Sequence, residues 1–157
     1  MNRLRIFANN LFAHEMLHLL SGILMFFLIL RMFGQLKFAF LAFLVSLLID
    51  ADHYFEGLFV NRLKFDWIFT TYPHVFWKKL GRMTILFHSW EILIIIFVLG
   101  KIFNQQPLSI AIIFPAILHY AIDTVVYCSF SHMSVFQYSL IYRMYYHFDL
   151  KKIIKPN

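Results

Sequence analysis

Four stretches of the chain run apolar over most of their length, at about 11–33, 38–53, 83–103 and 107–127. Strict alternation, the mark of a half-buried strand, is absent from all four. The runs are long and carry little Gly, so the pattern predicts helices throughout. A spanning helix needs about 20 predominantly apolar residues, which the first, third and fourth runs approach and the second just misses. The links between the first and second runs and between the third and fourth are short. The middle connection, 54–82, is long and mixes aromatic with basic residues. It contains Trp67 and Trp77, with Trp90 just beyond. The tail over 130–147 carries Tyr138, Tyr142, Tyr145 and Tyr146. Both read as amphipathic segments lying in a membrane interface. Met1 to Arg5 is charged like the start of a signal peptide. His14, Glu15 and His18 then interrupt the would-be apolar region, which reads as a retained first span.

Composition sharpens this reading. Of the 157 residues 61% are apolar, 20 are Phe and only 14% are charged, against roughly 45–50% apolar and 25% charged in an ordinary soluble domain. A soluble domain of this size has too little interior for so much apolar surface. A soluble enzyme, a disordered tail and a collagen-like fibre are all excluded. The expectation is a single-domain all-α integral membrane protein with four transmembrane helices and interfacial amphipathic segments.

The net charge of +6 reports topology rather than nucleic-acid binding, because the basic residues flank the apolar runs. With the N-terminus inside, 11 basic residues are cytoplasmic: Arg3, Arg5, Arg62, Lys64, Lys78, Lys79, Arg82, Arg143, Lys151, Lys152 and Lys155. Three lie outside, namely Arg31, Lys37 and Lys101. The bias predicts N-in and C-in. The one cysteine, Cys128, permits neither an internal disulfide nor a thiolate cage and reads as a small buried apolar residue.

Ionisable residues inside spans are costly and point to function. Four groups stand out. His14-Glu15-Met16-Leu17-His18 is an HExxH sequence, which puts two histidines on one helical face; in zinc proteases that face holds the metal and the glutamate is the base. Asp50-Ala51-Asp52-His53 closes the second run, with Asp50 and His53 sharing a face and Asp52 pointing elsewhere unless the helix has ended. His88 and Glu91, spaced i, i+3, open the third run. His119 and Asp123, spaced i, i+4, lie in the second half of the fourth, after Pro115, a candidate kink. Each pair alone also suits a hydrogen-bonded couple pinning two helices. The topology, derived without these residues, places all four groups at the cytoplasmic side, which favours one shared metal site. Histidine and carboxylate without cysteine suit zinc or manganese, as one ion or two, better than magnesium. The expected ligands are His14, His18, Asp50, His53, His88, His119 and Asp123, with Glu15 or Asp52 as base. His74, His132 and His147 have no carboxylate partner on a span and are set aside, His147 and Asp149 making at most a surface pair.

The pattern resembles the membrane-bound metal-dependent hydrolases, the YdjM-like inner-membrane family. The matching elements are His18 followed by Gly22, the Asp50-Ala51-Asp52-His53 motif, Phe87-His88-Ser89 against a Thr-His-Ser element, and His119 with Asp123. Ile49 stands where that family often has proline. The resemblance implies metal-dependent hydrolysis and a bacterial inner membrane. A weaker resemblance, through HExxH alone, is to intramembrane zinc proteases of the site-2 type. The leading expectation is hydrolysis of an ester or phosphoester, of a lipid-like or amphiphilic molecule, with membrane lipids as the surrounding partners and no nucleic acid. The alternatives are an HExxH metalloprotease and, from another class, a non-catalytic metal-binding or ion-conducting protein.

Overall fold

The computed structural model describes residues 11–56, 81–131 and 135–154. The readings of 57–80, with Trp67, Trp77 and His74, of His132, and of the Cys128 side chain lie outside the described residues. Within them the protein is all-helical, with one isolated bridge between Arg82 and Asp149 and no strand.

The first apolar run forms α1, Leu11–Phe33. Gly34 ends it at φ 65°, its N–H returning to the Leu30 carbonyl. Glycine adopts this left-handed conformation without a Cβ penalty. Helix α2, Leu36–Leu48, follows after a two-residue link, which makes it the antiparallel neighbour of α1. A turn at Ile49–Asp50 interrupts the chain before the short α3, Ala51–Phe55. The third run is helical only from Trp90, as α4, Trp90–Ile102. The fourth forms α5, Gln106–Ser131, which continues through Pro115. A 3₁₀ turn, Val135–Tyr138, and two short helices, α6 (Leu140–Tyr145) and α7 (Leu150–Ile154), complete the order.

Helix α5 is the central element, packed against α1, α2 and α4. Small residues let the backbones approach. Ala39, Ala42, Ala111 and Ala116 are all buried. A Cβ on Gly22 would meet Phe43 and Ser46 at 3.2 Å, and one on Gly100 would overlap the Ser109 side chain. Met25, Ile29, Ala42 and Ala111 form one core cluster; Ile49, Leu93, Ala116 and Tyr120 form another. Outward, large apolar side chains are exposed along α1, α4 and α5, among them Phe27, Ile94, Ile102 and Phe114.

Two helices are long and apolar enough to cross a membrane, over His14–Phe33 and Gln106–Val125. Helices α2 and α4 have 13 residues each, about 20 Å of rise against a hydrocarbon core of about 30 Å. Both are cut short for the same reason. The chain after α2 and the chain before α4 build a polar cluster instead, through the turn at Ile49–Asp50 and the non-helical approach over residues 81–89.

Candidate metal centre

The cluster lies where the beginning of α1, the end of α2, the approach to α4 and the C-terminal half of α5 meet. Helical spacing sets two of its parts. His14 and His18 project from one face of α1 with their Nε2 atoms 2.9 Å apart. One further helix gives His119 and Asp123, with Nε2 and Oδ2 3.4 Å apart. The turn after α2 sets the third part. It swings Asp50 inward, so that its Oδ1 lies 3.2 Å from His119 Nε2 and 3.3 Å from Nε2 of both His53 and His88.

His88 is delivered by a segment with no helix of its own, and the acids of α3 hold that segment. Glu56 accepts from the Thr84 backbone N–H at 2.5 Å and from its hydroxyl at 2.6 Å. Asp52 accepts from the N–H groups of Phe87 (2.8 Å) and His88 (3.3 Å) through Oδ2, while its Oδ1 lies 3.1 Å from His88 Nδ1. The Tyr120 hydroxyl donates to the Phe87 carbonyl and accepts from the Ser89 N–H. Arg143, fully buried, reaches in from α6 and donates to the His88 carbonyl (3.3 Å) and to Ser89 Oγ (2.5 Å). Burial pushes the Arg143 pKa below its ordinary value, opposed by the charges of Asp52, Glu91 and Glu56.

Three groups of side chains are close enough to hold a metal ion: Asp50, His88, His119 and Asp123; His14, His18 and Asp123; and Asp52, His53 and His88. Most are sealed from solvent, with His88 and His119 at 0% exposure and Asp123 at 1%. Proton positions test the fit. His119 Nδ1 lies 3.2 Å from the Ser46 carbonyl, which can only accept, so this nitrogen carries the proton. His88 Nδ1 faces the Asp52 carboxylate, so it too carries a proton. In the neutral rings both Nε2 atoms are then bare lone pairs. They face each other at 3.3 Å and also face Asp50 and Asp123. Buried acceptors pointed at acceptors are unfavourable without a cation between them. Imidazole held through its other nitrogen by a carbonyl or carboxylate is also the usual outer arrangement around a metal ligand. The buried His/Asp donor set fits a metal ion.

Glu15 is exposed, beside the buried His14, and is not among the side chains that cluster. Asp52 faces His88 rather than Asp50. The helical pairing of His88 with Glu91 does not form, because the helix begins after His88. Glu91 instead accepts from Ser139 Oγ and from the N–H groups of Leu140 and Ile141, tying the start of α6 to α4. The tail read as an interfacial anchor is only partly a surface: Tyr138 and Arg143 are buried, while Phe136, Ile141, Met144 and Tyr145 face outward. Arg143, Tyr120 and Glu56 were invisible as site residues in the sequence. Their roles depend on contacts 28 to 55 positions away. The one available hint was a lone arginine amid the aromatic residues of the tail.

No family model, curated protein or solved structure matches the chain.

Proposed function

We propose that this chain is a membrane-embedded, metal-dependent hydrolase acting on an ester or phosphoester of an amphiphilic molecule. The observation that carries the proposal is the convergence of the Nε2 atoms of His88 and His119 on the carboxylates of Asp50 and Asp123. The outward apolar faces of α1, α4 and α5 support four crossings of a bilayer, with α2 and α4 completed by their flanking segments. The excess of basic residues on one side supports an N-in orientation and a site at the cytoplasmic face.

A bound divalent ion supplies a Lewis acid and brings the pKa of water toward neutrality. The chain's own residues do the rest. His14, His18, Asp50, His88, His119 and Asp123 would hold the metal. His53 stands against Asp50 and completes its surroundings. Asp52 positions His88 by fixing its ring and its backbone together. Glu15, exposed beside His14, would take a proton from water and return it to the leaving group.

The test is hydrolysis of a chromogenic ester and a chromogenic phosphodiester by detergent-purified protein with zinc or manganese. Turnover that chelation abolishes is expected. Glu15→Gln should lower turnover by about 10²–10⁴-fold while metal content is kept. Metal-replete protein inert toward both compounds would overturn the hydrolase reading.

One observation favours a second reading. Asp123 Oδ1 lies 3.3 Å from both HExxH histidines, so two histidines and a carboxylate face one point, as in zinc proteases. Cleavage of membrane-inserted peptides with no ester turnover would favour it.

A further inference from the structure

We propose that the centre holds two divalent ions, bridged by the carboxylate of Asp123. This rests on the metal-dependent reading above and adds to it the number of ions and the residue that joins them.

The division of Asp123 between two sets of histidines carries the proposal. Its Oδ1 lies 3.3 Å from Nε2 of His14 and 3.3 Å from Nε2 of His18, both on α1. Its Oδ2 lies 3.4 Å from Nε2 of His119 and 3.6 Å from Nε2 of His88. The second set also includes Asp50, whose Oδ1 is within 3.3 Å of the same two nitrogens. Each oxygen thus lies against one set of histidines, and the Asp123 carboxylate is common to both groups. Oxygens of one carboxylate divided this way hold two ions about 4 Å apart.

Donor number points the same way. One tetrahedral ion takes about four ligands at about 2.0–2.2 Å. Five side chains lie about the two sides of Asp123, six with Asp123 itself, and His53 stands against Asp50 as a seventh. The group of Asp52, His53 and His88 does not require a third ion. Asp52 contacts Nδ1 of His88, the nitrogen that carries a proton, and so orients a ring whose Nε2 belongs to the Asp50 set.

The experiment is a manganese titration of the full-length, detergent-purified chain after chelation. It is read by elemental analysis and by low-temperature electron paramagnetic resonance. Two ions per chain with an exchange-coupled spectrum is the expected result. His14→Ala should retain one ion and show the six-line signal of isolated manganese. One ion per wild-type chain, or two without spin coupling, would overturn the bridged pair and leave the metal-dependent reading intact. No bound ion at all would overturn the metal-dependent reading with it. The wild-type measurement alone separates these outcomes, so the test stands even if the variant misfolds.

Discussion

Asp52 stands between Asp50 and His53 in the sequence, yet its carboxylate has a different task from theirs. It takes two backbone N–H groups and one imidazole N–H from the 87–88 segment. Removing it leaves these donors buried without an acceptor and frees the His88 ring to turn. We expect Asp52→Ala to weaken metal binding about 10–100-fold with helical content unchanged. Competition with a chromophoric chelator, alongside circular dichroism, measures both. Unchanged affinity would refute the positioning role. The contrast with His14, His18, His119 and Asp123 explains what could be read at this scale. Those pairs sit at i, i+4 within single helices, where spacing alone fixes a shared face. The orientation of Asp52 depended on the chain turning at Ile49–Asp50. No residue there forces the turn: Asp50 has helical backbone angles, φ −72° and ψ −6°, and no Pro or Gly is present. Arg143 was less legible still, since a buried cation among surface-like aromatics is defined only by the carbonyl and hydroxyl it reaches.

At the level of elements, periodicity and length identified helix throughout, and α1 and α5 are the two longest helices described. What the pattern could not show was the shortening of α2 and α4. An apolar residue scores alike whether it continues a helix or, like Met83 and Ile85, is buried in an extended lead-in. The lead-in exists because its N–H groups are answered by Asp52, Glu56 and the carbonyl of Phe148, partners remote in sequence. The close packing of α4 on α5 offers a direct test. A methyl group at Gly100 would overlap Ser109 near the link joining the two helices. Gly100→Ala should destabilise the protein by about 1–3 kcal/mol, because overpacking outweighs the gain in helix propensity. Pairing it with Ser109→Gly should recover most of the loss. Thermal unfolding in detergent measures each variant, and additive effects of the two substitutions would argue against the contact.

Across the whole molecule, the centre joins α1, the turn after α2, the lead-in to α4, and α5. A ligand that binds only the folded state stabilises it by about 2.7 kcal/mol at a hundredfold excess over its dissociation constant. For a chain of this size that corresponds to about 5–10 °C in melting temperature. Chelation should therefore lower the melting temperature by this order, and adding back zinc or manganese should restore it. Equal melting curves with and without chelator would mean that the polar cluster holds the helices together unaided. Charge counting at this scale gives an expected sidedness, because basic residues flank the apolar runs. The convergence of the four polar groups followed only once the topology was assumed. Their convergence has a consequence in time. His14 is made first and Asp123 more than a hundred residues later, which at ribosomal rates is an interval on the order of 5–20 s. During that interval the HExxH histidines stand without the carboxylate that completes their surroundings. The centre is a late product of biosynthesis, assembled when the last long helix arrives, and a chain truncated before Asp123 would present its first histidines without a place to close.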